Sequence, residues 1–182
     1  MKKLIIIGLL FLISCKTAEK ATSQVNIIKP VSVQTENCPE NGTCTIELIP
    51  DKTIDFKTDE FGNLYPVISE GNKTVLKYTF SKKPIENVAD SNYTELIYAE
   101  LPSQISELNF ENTALQTIKL HYGRLCFCKG ESGYFPINNG VFKLSKVDEN
   151  SIKIDLNFSV KKIPQIISEI HETVSLKSNA TN

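Results

Sequence analysis

Tryptophan is absent from this 182-residue chain, and Met1 is its only methionine. The first absence disfavours a sugar-stacking platform, and the second excludes a methionine-rich copper site. Arg124 is the single arginine, and His121 and His171 are the only histidines. No G-x-S-x-G, H-E-x-x-H or glycine-rich phosphate loop occurs, and two histidines supply no evident hydrolase triad. Charge of one sign is also missing: 20 basic residues face 21 acidic ones. Without a basic stripe there is no case for a nucleic-acid partner. Long apolar runs are missing too, apart from residues 4–12.

That one run has a particular setting. Lys2 and Lys3 precede it, and Ile13, Ser14 and Cys15 close it. A charged start, a short apolar stretch and a small residue before the cut form an export signal. The run is too short for a retained transmembrane helix, which needs about 20 residues. The chain turns polar at once after Cys15, with Lys16, Thr17, Glu19 and Lys20. Leu12-Ile13-Ser14-Cys15 resembles a bacterial lipobox. The resemblance implies cleavage before Cys15, diacylglycerol on its sulfur and an acyl chain on the new N-terminus. Two or more chains hold a protein firmly to a bilayer, where one does so only marginally. Lys16 after the lipidated cysteine, and the short Ile/Leu-rich signal, resemble outer-membrane lipoproteins of the Bacteroidetes. With Glu19 the only acid in the following segment, the expected anchor faces the periplasm. The expected division is a signal peptide over 1–14, a lipidated tether over 15–24, one β-domain over 25–177 and a frayed tail over 178–182. Cleavage would leave 18 basic and 21 acidic residues. The expected partners are the membrane, through the lipid, and another envelope protein, with no cofactor beyond the covalent acyl groups.

The rest of the chain reads as short strands. Residues 25–33 (VNIIKPVSV) predict a first strand that Pro30 confines to a sheet edge. Residues 37–44 (NCPENGTC) predict a tight turn, and 58–63 (TDEFGN) a hairpin turn between strands at 53–56 and 64–69. Further strands are expected at 45–49, 74–80, 93–101, 105–110 and 141–147. The longest is expected at 115–128, with a bulge or bend at Gly123. Residues 82–92 read as a loop and 129–140 as a loop or broken hairpin. Ile152, Ile154, Leu156, Phe158 and Val160 alternate without fault with polar residues, so that strand has one wet face. Residues 165–177 fit either a helix face or a strand, and their β-branched content favours the strand. Nine or ten short strands imply an all-β fold, an antiparallel sandwich or barrel.

Four cysteines remain in the expected mature domain besides Cys15: Cys38, Cys44, Cys126 and Cys128. An even number in an oxidising compartment predicts two disulfides, with three possible pairings. Cys38 with Cys44 would clip the NCPENGTC turn. That choice requires Cys126 with Cys128, whose Cα atoms lie about 7 Å apart in an extended strand, near the limit for a bridge. Gly123 or Gly130 could supply the necessary kink. The crossed alternative bonds Cys38 and Cys44 each to Cys126 or Cys128, and is slightly favoured. Structural disulfides are the first expectation. A thiol–disulfide role for the C-x-C pair, helped by Lys119, Arg124 and Lys129, is the second. A metal site using His121 or His171 comes third, because neither pair has zinc-ligand spacing.

His121, Tyr122, Gly123, Arg124, Cys126 and Cys128 form the densest run of chemically capable residues, and so the candidate functional cluster. The H-x-G-R-L-C-x-C-x-G pattern there resembles segments of Bacteroidetes lipoproteins, and that likeness implies no particular activity. Asp51, Asp55, Asp59, Glu60 and Asn63 gather near one hairpin, but without the spacing of an EF-hand, and read as a solvated turn. Glu95 and Glu100 are an odd number of residues apart, which places them on opposite faces of a strand and rules out an acid/base pair. The function expected from the sequence is therefore a lipid-anchored binding or scaffold module.

Overall fold

Period-two alternation builds most of this molecule. In a computed structural model, which describes residues 30–35 and 37–176, ten strands form two antiparallel sheets. The proposed signal, Cys15, the tether and residues 178–182 lie outside the described residues. The strands are β1 (Val31–Gln34), β2 (Gly42–Thr58), β3 (Leu64–Lys82), β4 (Tyr93–Pro102), β5 (Leu108–Glu111), β6 (His121–Cys126), β7 (Gly133–Pro136), β8 (Gly140–Asp148), β9 (Ser151–Phe158) and β10 (Glu169–Ser175). The larger sheet runs β1-β2-β3-β4-β6-β7 and the smaller β10-β9-β8-β5. They face each other as an open sandwich, so the barrel alternative is set aside.

The inner faces follow the alternation. Ile46 and Leu48, Leu76, Tyr78 and Phe80, and Ile97, Ala99 and Leu101 project from the large sheet. Ile152, Ile154, Leu156 and Phe158 answer them from β9, and Ile170 and Val174 from β10. The segment at 165–177 is thus a strand, although it begins only at Glu169. β1 is an edge strand that starts directly after Pro30, as a proline there requires.

Two long strands replace four short ones. β2 and β3 run past their expected breaks and turn a corner together. At the corner Asp51 takes a left-handed φ of 56°, and the ladder slips so that Lys52 faces both Glu70 and Lys73. Gly71 lets the strands touch there, since a Cβ would lie 2.9 Å from Thr53 Cβ. Beyond the corner the hairpin, residues 52–70, folds back over the outer face of the large sheet. Ile54 packs there on Val75, Leu96 and Tyr98, with Phe56 and Tyr134 at its margin. β4 is consequently covered on both faces, as its nearly unbroken burial records.

The expected strand at 115–128 is corrected. Asn112–Ile118 is a 3-10 helix, ended by Lys119 in a left-handed conformation with φ 49°. Leu115 and Ile118, three residues apart, share its buried side, which is the 3-10 repeat. The apolar content resembles a strand because both are short and half buried. Gly123 forms no bulge either. It sits in a regular ladder between Leu96 and Tyr134, and a Cβ would lie 2.6 Å from the Tyr134 ring. Its role is to admit that ring.

Candidate functional site

Strand register sorts the candidate cluster. β6 pairs with β4 so that Tyr98 faces His121, Ile97 faces Tyr122, Glu95 faces Arg124 and Tyr93 faces Cys126. Alternation sends Tyr122 and Arg124 inward and His121 and Gly123 outward. The contiguous run therefore splits between two environments.

On the outer face, His121 is buried and stacked on Phe56, with ring centroids 3.6 Å apart and planes 10° from parallel. Its Nδ1 lies 2.9 Å from the Lys119 carbonyl oxygen. Burial lowers its pKa, against the raising effect of that carbonyl. Lys119 itself reaches the folded hairpin, donating to Ile54 O at 2.7 Å, Asp55 Oδ1 at 2.8 Å and Glu100 Oε2 at 3.1 Å. Glu100 also accepts from Thr53 Oγ1 and from Ile54 N at 3.1 Å. Burial alone would raise the Glu100 pKa, but the bonds from Thr53, Ile54 and Lys119 outweigh it and hold it down. Lys119 is thus occupied with the hairpin and is not a thiol activator.

On the inner face lies a polar network at one end of the sheet. Glu95 is 0 % exposed and carries three donors: Tyr93 Oη, Ile166 N at 2.7 Å and Ile167 N at 2.7 Å. It pins the β9–β10 connection beneath the large sheet. Arg124 Nε donates to Tyr93 Oη at 3.2 Å, its guanidinium lies 5.3 Å from that ring's centre, and Nη1 donates to Glu131 Oε2 at 2.7 Å. Ser132 Oγ donates to Arg124 O at 3.1 Å, so Arg124 holds both sides of the β6–β7 turn. Tyr122 is fully buried, and burial, then the nearby Glu95, push its pKa far up. Glu95 and Glu100 indeed occupy opposite faces. What single-residue reading missed is that the inward carboxylate is a structural anchor. Its signal was a lone Glu at an inward position of the buried strand β4, opposite the only arginine.

The cysteines pair locally, as Cys38–Cys44 and Cys126–Cys128, and the slightly favoured crossed arrangement is corrected. Cys126 and Cys128 can bond because the chain leaves the strand after Cys126. Their Cα atoms are 5.2 Å apart, and the turn closes through Glu131 N to Cys128 O at 3.1 Å with Gly130 at φ 72°. Of the two glycines considered, Gly130 shapes this turn and Gly123 does not. Cys44 is 0 % exposed in the core, beside Phe80. Cys126 and Cys128 instead line a surface cleft of about 170 Å³ with Lys82, Lys83, Ile85 and Phe127. Neither histidine joins them: His121 is five residues back along the strand, about 16 Å away, on the other face, and His171 on β10 bonds Asp155 at 2.8 Å. Among the described residues no three His, Cys, Asp or Glu side chains gather as a metal site. The acidic residues of the hairpin serve separately: Asp59 accepts from Phe61 N and Asn63 N, and Asp55 from Lys119.

Three turns share one end of the large sheet. Gly42 faces Lys82, and Tyr93 faces Cys126, so turns 37–41, 83–92 and 127–132 lie together, with Lys83 N bonded to Asn41 O at 2.7 Å. Phe127 is 82 % exposed there, Ile85 61 % and Val88 50 %. β1 runs toward this end from Val31, which sits opposite Leu48, so the described residues begin toward the other end of the sheet. These features define a disulfide-clipped antiparallel β-sandwich with a tip of three turns. No protein-family model, curated protein or solved structure matches the chain.

Proposed function

We propose that the chain is a lipid-anchored protein of the bacterial envelope, held to the outer membrane on its periplasmic side through Cys15, whose β-sandwich is a binding or scaffold module for another envelope protein. The single observation that carries the reading is the position of the tip. Phe127, Ile85 and Val88 are exposed at the end of the sheet toward which β1 runs, away from Val31. A sandwich held by its N-terminal side would present that tip away from the bilayer. Large apolar side chains grouped on a surface mark a site of contact.

The anchor and the tip are tested separately. Cys15→Ala is expected to move the protein from the membrane fraction to the soluble one, and the N-terminal peptide of the native protein is expected to carry acyl mass. An unmodified Cys15 would remove the anchor from the reading. For the tip, a photo-crosslinker at position 127 in intact cells should give one discrete adduct, while one at exposed position 147 gives none. Equal labelling at both positions would remove the binding role.

A further inference from the structure

The two disulfides live in different surroundings. Cys44 is wholly buried and Cys38 packs against the same core. Cys126 and Cys128 are half buried and line an open cleft. Loop size separates them further. A cross-link constrains the unfolded chain more the longer the loop it closes, and Cys126–Cys128 encloses a single residue. By loop length it therefore contributes less to stability than Cys38–Cys44, which closes a longer loop. The turn it closes is already fastened without it, by Arg124 to Glu131, Ser132 to the Arg124 carbonyl and Glu131 N to Cys128 O. Breaking this bond would leave the turn standing. Lys82 and Lys83 line the cleft against the single acid Asp90, a net positive lining of the kind that favours a thiolate, and the exposed Phe127 lines the same cleft as an apolar contact.

We propose that Cys126–Cys128 is a thiol–disulfide exchange site at which the module engages a polypeptide bearing two thiols. The proposal rests on the binding reading above, because it names what the tip's partner must carry. A thiolate of the partner attacks one sulfur, forming a mixed disulfide and releasing the other cysteine as a thiolate. The partner's second thiol, deprotonated, attacks the mixed disulfide and frees the remaining cysteine. Two electrons pass from the partner, which gains a disulfide, to Cys126 and Cys128, which end as two thiols after taking up the two protons the partner gave up.

The test uses the mature full-length chain in detergent micelles. It is equilibrated with glutathione buffers, quenched with acid and alkylated, and the cysteine peptides are weighed. Cys126–Cys128 should open at least about tenfold more readily than Cys38–Cys44, while amide exchange of β9 stays slow. A synthetic peptide with two thiols should be oxidised with one equivalent of protein. Cys128→Ser, whose lone Cys126 thiol has no disulfide to give up, should instead attack the oxidised, disulfide form of that peptide, releasing one peptide thiol and leaving an acid-quenchable mixed disulfide on Cys126. The double variant Cys126→Ser/Cys128→Ser, with Cys38–Cys44 intact and the fold retained, should leave the peptide reduced. Both disulfides opening together, or peptide oxidation persisting in the double variant, would overturn the proposal. Crosslinking at position 127 in cells does not depend on this chemistry, so failure of the binding reading would be seen separately.

Discussion

The interior between the two sheets and the smaller one beneath the folded hairpin are held together by different means. The first is almost wholly apolar, built from alternating residues of both sheets, with Glu95 its one fully buried carboxylate among the described residues. The second has only Ile54, Val75, Leu96 and Tyr98 fully inside, and depends on groups around its rim: the Phe56–His121 stack and the Lys119–Glu100 bridge. An interior built of apolar side chains from both sheets unfolds as a whole. An interior closed by titratable groups can open by itself, because local stability follows the contacts of each unit.

The sharpest way to break the comparison is to damage both sides alike. Leu156→Ala in the sandwich should cost about 2–5 kcal/mol, lowering the midpoint of urea unfolding for every probe. Glu95→Ala, leaving Ile166 N and Ile167 N without an acceptor, should cost about 3 kcal/mol and speed amide exchange at those two residues first. Ile54→Ala should instead release the hairpin, raising exchange over 52–70 while β9 stays protected; a uniform rise would show that the two interiors form one unit. Glu100→Gln removes a largely buried charge from three donors, and is expected to weaken hairpin closure by about 1–2 kcal/mol, read by the same exchange.

Acid gives the finest test. His121 has a lowered pKa when folded, so the unfolded or opened chain binds its proton more readily. Stability from this group is complete above the ordinary value of 6.5 and is lost as pH falls from there through the lower folded value. Glu100 is likewise depressed, and its contribution is complete above 4.5 and lost as pH falls through its folded pKa. Hairpin protection should thus decline in two steps on acidification, and His121→Phe should remove only the first. Protection of the hairpin amides, relative to their intrinsic exchange rates, that stays unchanged between pH 7 and 5 in the parent chain would refute the His121 step.

How far the fold was legible follows from the same contrast. Ile152 to Phe158 declares a half-buried strand by alternation alone, and so do Leu76, Tyr78 and Phe80. The hairpin strands were visible too, but not their fusion into β2 and β3 or their return over the sheet. That depends on Asp51 adopting a left-handed turn and on Gly71 permitting contact, neither of which alternation records. The 3-10 helix was hidden because Leu115 and Ile118 suit either period over so short a stretch. At the site, the cysteines and Arg124 stood out as chemically capable. Their separation from His121 required the strand register, and the local disulfide pairing required the turn after Cys126.

Three of the four edge strands, β1, β5 and β7, have only four residues each. An unpaired edge invites a neighbouring chain to add a strand, and the invitation grows with its length. Molecules confined to a plane meet far more often than molecules in free solution. If the chain is anchored as proposed, short edges, one opening after Pro30 and another closing on Pro136, would let its copies collide repeatedly on such a plane without zipping into a continuous sheet.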